Sequence, residues 1–191
     1  MQDFTPFYAG TPVETTTLPE GITFPVKYAV IRRKITNNTF GMVRRNRDGS
    51  RRPHQGWDFY APPGYRCYAI ADGEIAAVRN RGAYGKHVIL KFAHDAGENG
   101  QADTLFAAYC HLKEARVTLG DTVKCGDVIG LCGESGNARG MTGTDAHLHF
   151  EIRTHLNVGR GLSRRMSPLS VFGQLPIDLV MVSQADALIP G

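Results

Sequence analysis

Short alternating stretches of apolar and polar residues dominate the middle of this chain. Between residues 56 and 154, runs rich in Val, Ile, Phe and Tyr are separated by glycines, a pattern typical of antiparallel β domains. Glycine and proline interrupt nearly every stretch that could show a helical period. We therefore predict a mainly β fold, built on an antiparallel sheet with few short helices.

The stretch 147–153 shows the strictest alternation. Successive side chains of a strand point to opposite faces, so His147 and His149 share one face with Glu151 and Arg153. The apolar residues between them are predicted to pack in the core. We expect both histidines to face a cleft, where Glu151 could orient an imidazole N–H.

The cysteines give a weaker signal. In the predicted strand 105–112, strict alternation groups Tyr109 with His111 and turns Cys110 to the opposite face. The chain has four cysteines and no CxxC motif. We interpret them as reduced, buried, small apolar residues, although four cysteines also allow three full pairings, among which the sequence does not choose.

The amino-acid composition of the chain changes on either side of residues 28–168. Residues 1–27 are rich in Thr and Pro and predict an extended N-terminal leader laid over the body. Residues 169–191 predict a C-terminal strap that closes over the sheet. A length of 191 residues fits one domain with such extensions. Since no apolar run approaches the ~18 residues that cross a bilayer, we predict no membrane span. We also expect a monomer.

The chain has a net charge of +4, and its excess of positive charge is concentrated in one segment. Residues 32–53, here called the basic lip, hold eight Lys and Arg and one acidic residue, which gives +7, and the remaining 14 basic and 17 acidic residues give −3. No aromatic-interleaved motif for nucleic acid accompanies these charges. Nucleic acid is therefore not predicted as a partner, and the basic lip is interpreted as a surface that meets carboxylates.

Histidines carry the candidate chemistry. His54 and Asp58 form an HxxxD motif, His111 lies in a predicted strand, and His147 and His149 form HxH. A catalytic zinc usually takes three protein ligands, and His54, Asp58 and one histidine of HxH supply such a set. Both histidines of HxH could ligate one ion, or one could ligate while the other acts as a base. Since HExxH is absent, a neutral histidine is the expected general base.

Seven segments follow one another along residues 35–168. They read HQGWDFYAPPG, ADGEI, YGKHV, YCHL, GDVIG, GESG and HLHFEI. In that order they resemble the lysostaphin-type or LytM-like zinc endopeptidases of metallopeptidase family 23. The resemblance implies an antiparallel β fold that hydrolyses peptide bonds in the stem peptides or cross-links of peptidoglycan.

Carried over residue by residue, the resemblance makes His54, Asp58 and His149 the ligands of one Zn²⁺ ion. It makes His111 and His147 the catalytic histidines. All five are present, which separates this chain from the alternative, a non-catalytic LytM-like module that binds the wall or activates amidases. The cysteines in YCHL and before GDVIG depart from the family motifs.

The resemblance also implies action at the cell wall or in the periplasm. The first residues show no signal peptide. We therefore expect delivery as a phage lysin or as an antibacterial toxin of a specialised secretion system, or a chain whose leader was cut away. A toxin would imply an immunity protein. We expect cleavage between D-alanine and diaminopimelate rather than within a glycine bridge.

Overall fold

The computed structural model describes residues 10–94 and 102–183. In these ranges nine strands form one main sheet, two form a separate antiparallel pair, and two pair in parallel. The strands are β1 (Val13–Thr16), β2 (Gly41–Arg45), β3 (Arg51–His54), β4 (Trp57–Tyr60), β5 (Arg66–Tyr68), β6 (Gly73–Arg81), β7 (Gly85–His94), β8 (Asp103–Ala115), β9 (Thr122–Val123), β10 (Val128–Cys132), β11 (His147–Arg153), β12 (Arg165–Met166) and β13 (Val180–Ser183). The described part also contains one α-helix, α1 (Leu169–Phe172). The predicted mainly β, antiparallel fold is confirmed. Over the same ranges, no helix has the length and apolarity needed to cross a membrane.

The long strands β6, β7 and β8 form the middle of the main sheet. Its strands run in the order β12-β11-β8-β7-β6-β9, β10 pairs with β8 and β5, and β4 pairs with the first half of β11. Strand β11 therefore lies between β4 and β8. In register, His149 of β11 lies opposite Asp58 of β4 on one side and Cys110 of β8 on the other.

An apolar core covers one face of the main sheet. The apolar residues of β11 are fully buried in it, which confirms the alternation predicted for this strand. Trp57, 2% exposed, packs in the same core. Phe172 of α1 lies among aromatic rings, with centroid distances of 5.0 Å to Phe24 and 5.8 Å to both Trp57 and Phe150.

The described parts of the leader and the strap pair with each other. Strand β1 runs parallel to β13, with Val13 opposite Val180. Apolar side chains from both segments, including Phe24 and Phe172, enter the core. The first nine residues of the predicted leader and residues 184–191 of the strap lie outside the described residues.

The alternation predicted for residues 105–112 is wrong at His111. Tyr109 packs in the core, whereas Cys110 lies opposite His149 and shares its face of the sheet. The β7–β8 register shifts between the pairs Val88–Tyr109 and Lys86–Leu112, which enclose His111, and His111 has a left-handed φ of 64°. These features mark a β-bulge, which adds one residue to a strand and re-aims the side chains that follow. Because of the bulge, His111 lines the same cleft as His149.

Replacing Phe172 by Ala should lower the free energy of unfolding by about 3–5 kcal/mol, because a buried ring leaves a cavity when it is removed. Urea unfolding measures the change. Leu169→Ala is the matched control on the same helix, since Leu169 is 44% exposed, and it should change the free energy by less than about 0.5 kcal/mol. A loss below about 1 kcal/mol for Phe172→Ala would show that α1 adds little to the stability of the fold.

Candidate active site

Three side chains with metal-binding atoms converge in one cleft. Nε2 of His54 lies 3.1 Å from Oδ1 of Asp58 and 3.2 Å from Nδ1 of His149. The same Oδ1 and Nδ1 atoms are 2.8 Å apart. Ligand atoms of a tetrahedral zinc with bonds of about 2.0–2.1 Å stand about 3.3 Å from one another. Both the spacing and the two-nitrogen, one-oxygen donor set therefore fit such a metal ion, and we call these residues the metal centre.

The second nitrogen of each histidine contacts an acceptor outside the metal centre. Nδ1 of His54 donates to the backbone oxygen of Thr39 at 2.8 Å, and Nε2 of His149 donates to Oε1 of Glu151 at 3.0 Å. Such bonds fix the ring orientation and direct the other nitrogen toward the ligand position. Both imidazoles are therefore oriented for ligation.

The charges of the centre favour a cation. Burial disfavours a charged His149, but hydrogen bonds to Asp58 and Glu151 outweigh it and raise the pKa of His149 to about 9. Burial likewise opposes ionisation of Asp58, yet hydrogen bonds from His149 and His54 hold its pKa well below the usual range. The two carboxylates thus stabilise positive charge between them.

The outer oxygen of Asp58 is bound by two arginines of the basic lip. Nη2 of Arg44 lies 2.7 Å from Oδ2 of Asp58, and Nη2 of Arg32 lies 3.3 Å from it. The buried amide of Asn38 accepts a 2.8 Å hydrogen bond from Arg32 and so fixes that side chain. These two arginines position a metal-centre carboxylate rather than project into solvent, which the sequence did not indicate.

Glu151 connects His149 to a buried ionic network, and its predicted contact with an imidazole N–H is confirmed. Its Oε2 accepts hydrogen bonds from Nε of Arg153 at 2.7 Å and from Nε of Arg165 at 2.9 Å. The hydroxyl of Tyr84 donates to Oε1 at 2.7 Å. The sequence did not assign a role to Tyr84 or Arg165. The YGKHV motif was the one signal that pointed near Tyr84.

Two further histidines face the metal centre. The rings of His111 and His147 are 5.1 Å apart between centroids, and His111 lies 5.9 Å from His149. Nδ1 of His111 donates to the backbone oxygen of Ser135 at 2.9 Å, and Nδ1 of His147 donates to that of Asp145 at 2.8 Å. Burial, with nearby histidine charge, lowers the pKa of His111 to about 3, and burial also lowers that of His147. Both shifts favour the neutral imidazole, in which the lone pair of Nε2 is available for a proton.

All five residues predicted from the sequence line one cleft of about 300 Å³. Gly56 explains how the HxxxD segment reaches it, because a Cβ at this position would collide with the backbone oxygen of Phe150 in β11. Glycine therefore lets the turn between His54 and Asp58 lie against β11. His87, His94 and His155 do not line this cleft.

Comparisons of sequence agree with this geometry. Residues 52–160 match Peptidase family M23. A protein of Haemophilus influenzae named "Uncharacterized metalloprotease" is 31% identical over 147 residues, which are 76% of this chain and 26% of that protein. The peptidoglycan DD-endopeptidase ShyA of Vibrio cholerae is 32% identical over 100 residues, 52% of this chain and 20% of ShyA. The chain thus spans about a quarter or less of these curated relatives.

Solved structures show the same fold. A zinc containing peptidase from Vibrio cholerae superposes with a TM-score of 0.54 at 26% identity, over 81% of this chain and 41% of that one. The LytU structure gives 0.52 at 25% identity, over 94% and 99% of the two chains. Because the family match covers more than half of the sequence and includes the metal centre and both neighbouring histidines, the chain belongs to peptidase family M23.

Proposed function

We propose that the protein is a zinc-dependent endopeptidase that hydrolyses peptide bonds in the stem peptides or cross-links of peptidoglycan. One observation carries the proposal: two further histidines stand beside the metal centre in a single cleft. A metal centre with adjacent proton carriers is what metal-assisted hydrolysis requires. Peptidoglycan as the substrate is supported by the relative named as a peptidoglycan endopeptidase.

His54, Asp58 and His149 would hold one zinc ion. Two imidazole nitrogens and a carboxylate oxygen form a donor set that zinc accepts, and they leave a coordination position open. Zinc in such a site supplies Lewis acidity, which makes water nucleophilic near neutral pH and polarises a carbonyl. Arg44 fixes the outer oxygen of Asp58, and Glu151 fixes the ring of His149. The ligands therefore need little rearrangement to bind the ion.

His111 and His147 would move the protons. Each donates Nδ1–H to a backbone oxygen, which leaves the lone pair of Nε2 as a proton acceptor. One imidazole takes a proton from the attacking water. The imidazolium so formed returns that proton to the leaving amine, and the other imidazole, once it carries a proton on Nε2, hydrogen-bonds the developing oxyanion. Since both rings are fixed in the same way, each can serve in either role.

The bond we propose lies between D-alanine and diaminopimelate. The relatives named as DD-endopeptidases support this bond, because a glycine bridge offers no D-configured centre. The non-catalytic alternative is disfavoured, since a binding module has no need of two histidines oriented beside the metal centre. Action at the wall or in the periplasm, delivery as a phage lysin or toxin, an immunity partner and a monomeric state stay predictions.

Zinc binding should be measurable without any substrate. A chelator-treated sample should take up about one zinc per chain, and zinc at about 100 times its Kd should raise Tm by roughly 5–10 °C. His54→Ala and Asp58→Ala should abolish both effects. His155→Ala, which changes an exposed histidine, should retain them. Equal zinc uptake by His54→Ala would place the ion elsewhere.

Zinc-loaded protein should release muropeptides cut between D-alanine and diaminopimelate from purified sacculi, as identified by mass spectrometry. His111→Ala and His147→Ala should keep the zinc but hydrolyse about 10² to 10⁴ times more slowly, because each removes a proton carrier. His155→Ala should hydrolyse at the wild-type rate. Full activity in either variant would exclude that histidine from catalysis, and intact sacculi with the zinc-loaded wild type would refute the proposed function.

A further inference from the structure

A second cavity, of about 470 Å³, lies beside the active-site cleft. Among the described residues it is lined by cationic and neutral side chains and by no carboxylate: Arg79, Arg81, Gly82, Ala83, Tyr84, His87, Arg153, Leu156, Asn157 and Val158. We call it the arginine pocket. Ala83 and Tyr84 also line the active-site cleft, so the two cavities share a wall.

The guanidinium groups of Arg79 and Arg81 are available to a ligand. Within residues 10–94 and 102–183, neither side chain has a hydrogen bond or an ion pair. Arg153 is 2% exposed and pairs through Nε with Glu151, but its Nη2 has no hydrogen-bond acceptor there. Burial lowers the pKa of His87, and the charges of all three arginines lower it further. The arginine pocket therefore concentrates positive charge that its own residues do not balance.

The shape and chemistry of the arginine pocket suit a carboxylate on a short aliphatic residue. Guanidinium groups bind carboxylates through paired hydrogen bonds. Ala83, Leu156 and Val158 add apolar surface next to these charges. Because an extended peptide advances about 3.3 Å per residue, a strand lying in the active-site cleft reaches past Tyr84 within a few residues.

We propose that the arginine pocket binds a carboxylate of the peptide substrate, at a position removed from the bond that is cut. The inference rests on the proposed function, since stem peptides carry free carboxylates. It assigns Arg79 and Arg81 to substrate selection rather than to catalysis. Peptides with a free carboxylate at this position bind better than the same peptides with an amide there.

The test uses zinc-loaded protein and two stem-peptide substrates that differ in a free or amidated carboxylate. In the double variant Arg79→Gln, Arg81→Gln, KM for the free acid should rise about 10-fold, since charge-assisted hydrogen bonds are lost. KM for the amide and kcat for both peptides should stay unchanged. Arg66→Gln, an exposed arginine that does not line the pocket, is the control and should behave as wild type.

Two results would overturn the inference: an equal change in KM for both peptides, or no change in the double variant. Measuring the binding of both peptides by calorimetry distinguishes a failure of this inference from a failure of the proposed function. Preference for the acid without hydrolysis would leave the arginine pocket standing and refute the peptidase. Equal binding of acid and amide, with competition by inorganic phosphate, would identify a general anion site and reject carboxylate selection.

An independent observation concerns Cys67 of β5 and Cys132 of β10. Their Sγ atoms are 3.0 Å apart, and both residues are fully buried. The two strands pair with each other in antiparallel orientation. A disulfide has an S–S distance of about 2.05 Å, so a shift of about 1 Å would join the sulfurs. Cys132 lies just before the loop that supplies the Ser135 oxygen to His111.

The geometry points to a Cys67–Cys132 disulfide, formed when the chain folds in the presence of a disulfide oxidant such as oxidised glutathione. The two thiols lose two electrons and two protons, and the oxidant is reduced to two thiols. Burial raises the pKa of the Cys67 thiol well above its usual value, so the reactive thiolate is scarce once the chain has folded. The bond joins β5 to β10 beside the active-site loop.

Refolding in a glutathione redox buffer should leave two of the four thiols titratable after denaturation, and peptide mapping should link Cys67 to Cys132. Reduction should lower Tm by about 5–15 °C. Cys110→Ala, which removes another buried cysteine, should keep both the link and the Tm shift, whereas Cys67→Ala should lose them. Four free thiols, or a link through Cys110 or Cys125, would overturn the pairing.

Discussion

The pairing of β4 with β11 is the constraint on which the rest of the site depends. It sets Asp58 directly opposite His149, and the same register sends Trp57 into the core. Because side chains alternate along a strand, a slip of one residue would exchange these two positions. The aromatic core and the metal centre are therefore specified together, and a strand pairing that packs one correctly also builds the other.

Buried charges then determine how the metal centre is surrounded. A carboxylate removed from water is costly unless cations and hydrogen bonds compensate it. Asp58 is compensated by Arg32 and Arg44, and Glu151 by Arg153 and Arg165. These pairs hold each carboxylate through the oxygen that does not contact His149. The geometry of the metal centre thus depends on arginines that contact these carboxylates but none of the three atoms that could ligate a metal.

The sequence predicted those parts of the structure that follow a local rule. The faces of β11 follow from strict alternation, and the HxxxD and HxH motifs pointed to residues that do meet in one cleft. Contacts between segments that are far apart in the sequence follow no local rule, so the sequence did not predict them. Arg32 and Arg44 stand in arginine-rich stretches of the kind usually exposed, and Arg165 reaches Glu151 only through the tertiary fold. The β-bulge at His111 does not change the kinds of residue in β8 or the order in which they follow one another. The alternation of apolar and polar residues alone therefore could not reveal it.

The bulge at His111 also has a cost in stability. Left-handed backbone at a residue other than glycine is strained, by roughly 1–3 kcal/mol, and His111 occupies it with a φ of 64°. Glycine would relax the backbone there but would remove the imidazole. The native state therefore carries local strain at the residue that we propose as a proton carrier, and stability and that proposed role place opposite demands on this one residue.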